Sequence, residues 1–180
     1  MAILPLVIAP DPRLNQRSEP VAVVDDAVRK LLDDMLETMY ANDGIGLAAV
    51  QVGVHKRCIV MDVAMREGRN EPIKLVNPEI VESAEEISVY QEGCLSFPDQ
   101  FSDVERPESV TVKYLNELGE EKLLRAEGIM ATCVQHEIDH INGVVFVDHI
   151  SKLKREMILK KLTKAKKLGL VSEFPVPVHD

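Results

Sequence analysis

His136-Glu137-Ile138-Asp139-His140 reads H-E-x-x-H. On a helix, positions i and i+4 lie one turn apart on the same face. Two imidazoles so placed can grip one metal ion, and the glutamate after the first can act as a base on metal-bound water. The stretch therefore points to a metal-dependent hydrolase. A structural reading also exists, in which both histidines are core side chains satisfied by backbone partners. The glutamate after the first histidine favours the metal.

The flanks say how such a helix sits. Ile129 and Cys133 continue the histidine face, while Met130, Val134, Ile138 and Ile141 occupy the opposite one. A helix apolar on both sides is buried on both sides, so this segment, expected over 127–142 with Gly143 as its C-cap, lies at the centre of the fold. Upstream, Asp25 or Asp26 can cap a helix whose apolar residues fall at Ala27, Val28, Leu31, Leu32, Met35, Leu36 and Met39, ended by Asn42-Asp43-Gly44. Residues 57–63, 74–81 and 86–90 read as strands. Residues 110–115 and 122–126 flank a turn and read as a hairpin. Pro98 is expected to end any strand leading out of Cys94. A basic helix over 151–168 stops at Gly169, and 171–180 reads as a loose tail. Strands come in runs with three helices among them, which argues for α+β and one domain over 1–180.

Composition excludes several classes. With 46% hydrophobic and 28% charged residues in 180, the chain can bury a core and is neither disordered nor fibrous. No apolar run approaches the roughly 20 residues that span a bilayer. The start, Met1-Ala2-Ile3-Leu4-Pro5, lacks the basic and apolar segments of a secretory signal. Three cysteines, an odd number, suit a reducing, cytoplasmic setting. Neither a membrane nor DNA is expected as a partner. Charge is uneven: eight basic residues and Glu156 give 151–168 a charge of +7, leaving −16 on the rest of a chain at −9. Such a helix is either a solvated complement to an acidic body or a tether to an anionic partner such as RNA.

The third metal ligand is open from spacing alone. Cys94, in Glu92-Gly93-Cys94-Leu95-Ser96-Phe97-Pro98, follows a glycine that allows close backbone approach; it reads equally as a ligand or as a buried structural thiol. Cys133, one turn before His136, reads as a small hydrophobe lining a pocket. His149, nine residues after His140, is the third ligand that an H-E-x-x-H zinc endopeptidase would need. A structural metal in a ribosome-binding module, with the basic helix as the working part, is a further alternative.

Three blocks carry a resemblance: Gly44-Ile45-Gly46-Leu47-Ala48-Ala49-Val50-Gln51, Glu92-Gly93-Cys94-Leu95-Ser96, and Gln135-His136-Glu137-Ile138-Asp139-His140. With the Asp11-Pro12-Arg13-Leu14 lead-in, they make the chain resemble the bacterial peptide deformylases over nearly its whole length. The helix after His149 resembles the form typical of Gram-negative bacteria. The resemblance implies antiparallel sheets packed around a central metal-binding helix, with an N-terminal helix and a basic C-terminal one. It implies Cys94, His136 and His140 as ligands of Fe²⁺, which Zn²⁺, Ni²⁺ or Co²⁺ can replace, with water in the fourth position. Glu137 would be the proton carrier. The Leu95 N–H and the Gln51 amide would stabilise charge on the formyl oxygen of an N-formyl-methionyl nascent peptide, and formate would leave.

Ile45, Tyr90, Ile129 and Cys133 would wall the methionine pocket, with Glu92 and Gly93 beside it. Ile45 and Gly46 would offer backbone to the peptide. Arg106 and Asp139 would clamp the metal helix. The basic helix would meet ribosomal RNA near the exit tunnel. Phe101 departs from the pattern, standing where some members carry a basic residue that contacts the peptide.

Overall fold

The computed structural model describes residues 2–169. The tail expected over 171–180 lies outside the described residues. A five-stranded antiparallel sheet, in the order β1 (Gly46–Ala48), β2 (Cys58–Met61), β3 (Ile73–Ser83), β6 (Ser109–Leu115) and β7 (Glu121–Glu127), forms one layer. Helix α1 (Asp26–Ala41) and helix α2 (Gly128–Ile141) cover its two faces. The hairpin of β4 (Ile87–Cys94) and β5 (Phe97–Pro107) stands apart as a two-stranded sheet. Helix α3 (Lys152–Lys167) closes the chain.

Local chemistry explains most boundaries. The Asp25 carboxylate accepts from the Val28 N–H at 3.0 Å and caps α1. The buried stripe of α1, including Val28, Leu32, Met35 and Met39, packs on Leu47, Cys58, Val60 and Val76. All four residues of β2 are buried: Cys58 and Val60 face α1, while Ile59 and Met61 face α2. A strand covered on both sides needs no polar alternation, which is why Cys-Ile-Val-Met is continuously apolar. Ala131, Val134, Ile138 and Ile141 of α2 fill the second face. Gly143, in the left-handed region at φ 77°, follows the end of that helix.

Two strands differ from expectation. The glycine-rich stretch supplies β1, pairing Gly46 with Met61 and Ala48 with Ile59, and then a short 3-10 turn (Ala49–Val52) that carries Gln51. Pro98 does not end a strand; it is the second residue of β5. The register jumps from Gly93 opposite Phe101 to Cys94 opposite Phe97, so 98–100 form a bulge with no opposite residue in the β4–β5 ladder. A proline there costs no ladder hydrogen bond. The third packed region joins this hairpin to α3: Phe97 and Val104 meet Phe146, Val147, Ile158 and Leu162.

Candidate metal centre

Cys94 ends β4, and His136 and His140 share one face of α2. The packing described above brings them together. The Cys94 Sγ lies 3.2 Å from the His140 Nε2, and the two histidine Nε2 atoms lie 3.1 Å apart. All three donor atoms fall within 4.8 Å of one another. Ligands held by a tetrahedral ion at about 2.0–2.3 Å stand roughly 3.3–3.6 Å apart, close to what is seen.

Proton placement supports the same reading. His136 Nδ1 lies 2.9 Å from Glu92 Oε1, and a carboxylate only accepts, so Nδ1 carries the hydrogen and Nε2 presents a lone pair. That lone pair meets His140 Nε2 and the sulfur in a buried space, where a cation is the natural complement. The electrostatics agree. Burial works against a charged His136, yet hydrogen bonds with Cys94 and Glu92 and the charges of Cys94 and Glu137 outweigh it and raise its pKa well above the ordinary value. The cluster attracts positive charge at His136 Nε2, which either a proton or a metal ion can supply. His140 is held neutral, its pKa well below the usual range through burial and the neighbouring His136 and Arg106 charges. A thiolate with two imidazoles, closed on the protein side, fits a catalytic divalent ion of the Fe²⁺ or Zn²⁺ kind.

Glu137 stands beside the donors, its Oε1 3.7 Å from His136 Nε2. Its Oε2 is buried and without a hydrogen-bond partner among the described residues. Burial pushes this carboxyl up to about 7, where a group exchanges protons readily near neutral pH. Gln51 reaches over from the 3-10 turn. The Ala48 N–H fixes its Oε1 at 2.9 Å, and its Nε2 points to Cys94 Sγ at 3.3 Å and Ser96 Oγ at 3.2 Å. Leu95 opens the turn between β4 and β5, directly after the cysteine.

The remaining expected residues divide. Cys133 Sγ lies 3.6 Å from the Ile45 carbonyl. A Cβ on Gly46 would stand 2.8 Å from that sulfur and 3.0 Å from Glu137 Cγ, so β1 and α2 approach as only glycine permits. Ile129 is half-buried at the start of α2, and the Tyr90 hydroxyl approaches Gly128 beside it. Gly93 lies under the Phe101 ring, where an added Cβ would come within 2.6 Å. Glu92 is not an open pocket wall. Its carboxylate is engaged by Arg106, with Nε–Oε2 at 2.7 Å and Nη2–Oε1 at 3.0 Å, as well as by His136. Burial works to raise its pKa, but the His136 and Arg106 hydrogen bonds win and hold it at about 2. Arg106 Nη1 also reaches Asp139 Oδ2 at 2.8 Å, the clamp expected from sequence.

Sequence reading overlooked two partners. Glu92 shares a strand face with Cys94, two residues on, and that alternation was a usable signal for a role next to the metal. His149 is no part of the donor cluster; its Nε2 lies 2.8 Å from Asp139 Oδ2. This removes it as the third ligand of an endopeptidase site, and no local pattern announces its actual partner.

Comparison with known proteins agrees with this geometry. Residues 3–156 match the family model described as polypeptide deformylase. The peptide deformylase of Rhizobium meliloti is 55% identical over 167 residues, covering 93% of this chain and 96% of the relative. That of Mesorhizobium japonicum is 58% identical over 167 residues, covering 93% and 95%. Among solved structures, a peptide deformylase from Ehrlichia chaffeensis in complex with actinonin superposes with a TM-score of 0.89 at 47% identity, covering 93% of this chain and 99% of that one. A donor cluster of one sulfur and two imidazoles on this fold, together with these matches, establishes that the chain belongs to the polypeptide deformylase family.

Proposed function

We propose that this chain removes the formyl group from the N-terminal formyl-methionine of newly made polypeptides, as a single catalytic domain using Fe²⁺ held by Cys94, His136 and His140. The carrying observation is the convergence of three donor atoms beside the Glu137 Oε2, which has no hydrogen-bond partner among the described residues. Bound there, the ion supplies Lewis acidity and lowers the pKa of a water in its open position. Glu137 takes a proton from the attacking water at Oε2 and returns it to the departing amine nitrogen, releasing formate. The Gln51 amide and the Leu95 N–H donate to the formyl oxygen as charge grows on it. Preorganised donors of this kind are worth roughly 3–4 kcal/mol each. Ala48 holds the Gln51 amide by its far end, and the amide Nε2 stands beside Cys94 Sγ at 3.3 Å, from where it turns to the formyl oxygen when substrate arrives.

Ile45, Tyr90, Ile129 and Cys133 form the wall for the methionine side chain, and the edge strand β1 offers backbone to an extended peptide at Ile45 and Gly46. The substrate is a nascent chain, and α3 brings the enzyme to ribosomal RNA near the exit tunnel in the cytoplasm. Support for this comes from the +7 charge over 151–168 against an acidic body. No helix among the described residues is long and apolar enough to cross a membrane.

The test is a coupled formate assay on formyl-Met-Ala with anaerobically purified protein. Wild type is expected to release stoichiometric formate. Glu137→Gln is expected to keep its metal by elemental analysis and lose about 10²–10⁴ in kcat. Formate release by the Glu137→Gln variant at the wild-type rate removes Glu137 as the proton carrier. No release by metal-loaded wild type overturns the activity.

A further inference from the structure

A continuous line of hydrogen bonds leaves the metal centre and reaches the surface at a residue that the chemistry above does not use. His136 meets Glu92 at 2.9 Å, Glu92 meets Arg106 at 2.7 and 3.0 Å, and Arg106 meets Asp139 at 2.8 Å. Asp139 Oδ2 then takes a second donor, His149 Nε2, also at 2.8 Å. The carboxylate fixes the His149 tautomer, with the hydrogen on Nε2. The Arg106 and Glu92 side chains are 5% and 4% exposed, Asp139 is 24% exposed and the His149 ring 35%. The line therefore runs from the interior to solvent without a gap.

Its outer end is tied to α3. His149 is the last residue of a 3-10 turn (Phe146–His149) that leads into that helix. Its neighbour Asp148 accepts from Arg155 Nε of α3 at 3.0 Å and from the Val145 N–H at 3.0 Å. The Asp148–Arg155 pair thus joins the turn that carries His149 to the first turns of α3.

We propose that His149 is a positioning residue: by holding Asp139 it fixes Arg106 on Glu92, and through them it sets how His136 presents Nε2 to the ion. The proposal rests on the reading that Cys94, His136 and His140 hold a divalent ion. Without His149, the partly exposed Asp139 is free to turn to water, and Arg106 loses one of its two carboxylate anchors. Removing the direct partner of a metal-binding histidine typically costs about 10–100-fold in affinity. His149 stands three links further out, and its loss is expected to speed ion release by roughly 3–10-fold.

The experiment loads wild type, His149→Leu, His149→Gln and Asp139→Asn with one equivalent of Co²⁺. It records the visible spectrum, the rate of release to a chelator, and the unfolding midpoint of the metal-free proteins. His149→Leu is expected to shift the cobalt bands and release faster, with kcat lowered and KM unchanged. Asp139→Asn is expected to do so more strongly, and His149→Gln, whose amide offers an N–H at similar reach, to restore both readouts. A merely structural role would lower the unfolding midpoint and leave the cobalt bands in place. A His149→Leu variant with the wild-type spectrum and release rate overturns the proposal, whatever Asp139→Asn does. Failure of wild type to take up cobalt overturns the metal reading instead, and the two failures are distinguishable.

Discussion

Arg106 serves two acidic partners beside the metal centre, with Glu92 and Asp139 both within 3.0 Å of its guanidinium. Arg106 and Glu92 are almost fully buried, so neither charge has water to fall back on. Breaking such a pair by removing one member costs about 3–5 kcal/mol, because the other is left charged and unpaired. Arg106→Met is expected to lose that much in urea unfolding of the metal-free protein. Arg106→Lys is expected to recover only part of it, since an ammonium cannot fork onto Glu92.

A second residue reports on pH. Burial between α1 and the sheet pushes the Cys58 thiol up to about 11 from an ordinary value of 9.0. The unfolded thiol ionises near 9 while the folded one stays protonated, so the unfolded chain binds fewer protons across that interval and stability falls as pH rises. The contribution is fully present below pH 9 and is lost on approach to 11, a span equivalent to about 3 kcal/mol. Urea midpoints of wild type and Cys58→Ala measured from pH 8 to 11 are expected to show the steeper decline in wild type; parallel curves would contradict it.

At the scale of elements, the decisive contact is β1 against α2. Gly46 lets the strand approach Cys133 and Glu137 more closely than a Cβ allows. Gly46→Ala is expected to push on the Glu137 side chain directly, so kcat should fall at least tenfold while the unfolding midpoint moves by only a few degrees. A loss of stability without loss of kcat would mean that Cys133 alone gives way. The same scale explains why β5 was not legible. A proline near a cysteine reads as a strand end, and only the unpaired bulge at 98–100 makes that position harmless. The helices were legible because their caps and apolar stripes lie within a few residues of one another. Asp25 at the start of α1 and the turn of Asn42-Asp43-Gly44 at its end are cases in point.

At the scale of the whole molecule, α3 joins an apolar anchor to a basic surface. Ile158 and Leu162 anchor it to the hairpin core; Lys152, Lys154, Lys160, Lys161, Lys164 and Lys167 are exposed, while Lys166 turns in and donates to the Ile8 carbonyl at 3.1 Å. Deleting the helix would expose that core, so charge reversal is the cleaner test. Lys160→Glu, Lys161→Glu and Lys164→Glu together are expected to weaken ribosome binding and flatten its salt dependence, by roughly one unit of slope for each phosphate no longer neutralised. kcat on a formyl dipeptide should be unchanged. Unaltered ribosome affinity would assign the lysines to solubility alone.

Local pattern alone determined the helices, the H-E-x-x-H pair and the charge asymmetry, since each depends on neighbours within a turn or two and on side-chain type. The three blocks also marked Cys94 as the sulfur ligand by resemblance. Only the tertiary structure decided that Glu92 turns to His136 and Arg106, that His149 serves Asp139 and not a metal, and that β5 runs through Pro98. Those contacts join residues far apart along the chain. Side-chain identity limits which partners are chemically acceptable, but the pairing of strands and the packing of α2 between the sheet and the hairpin select which of them meet.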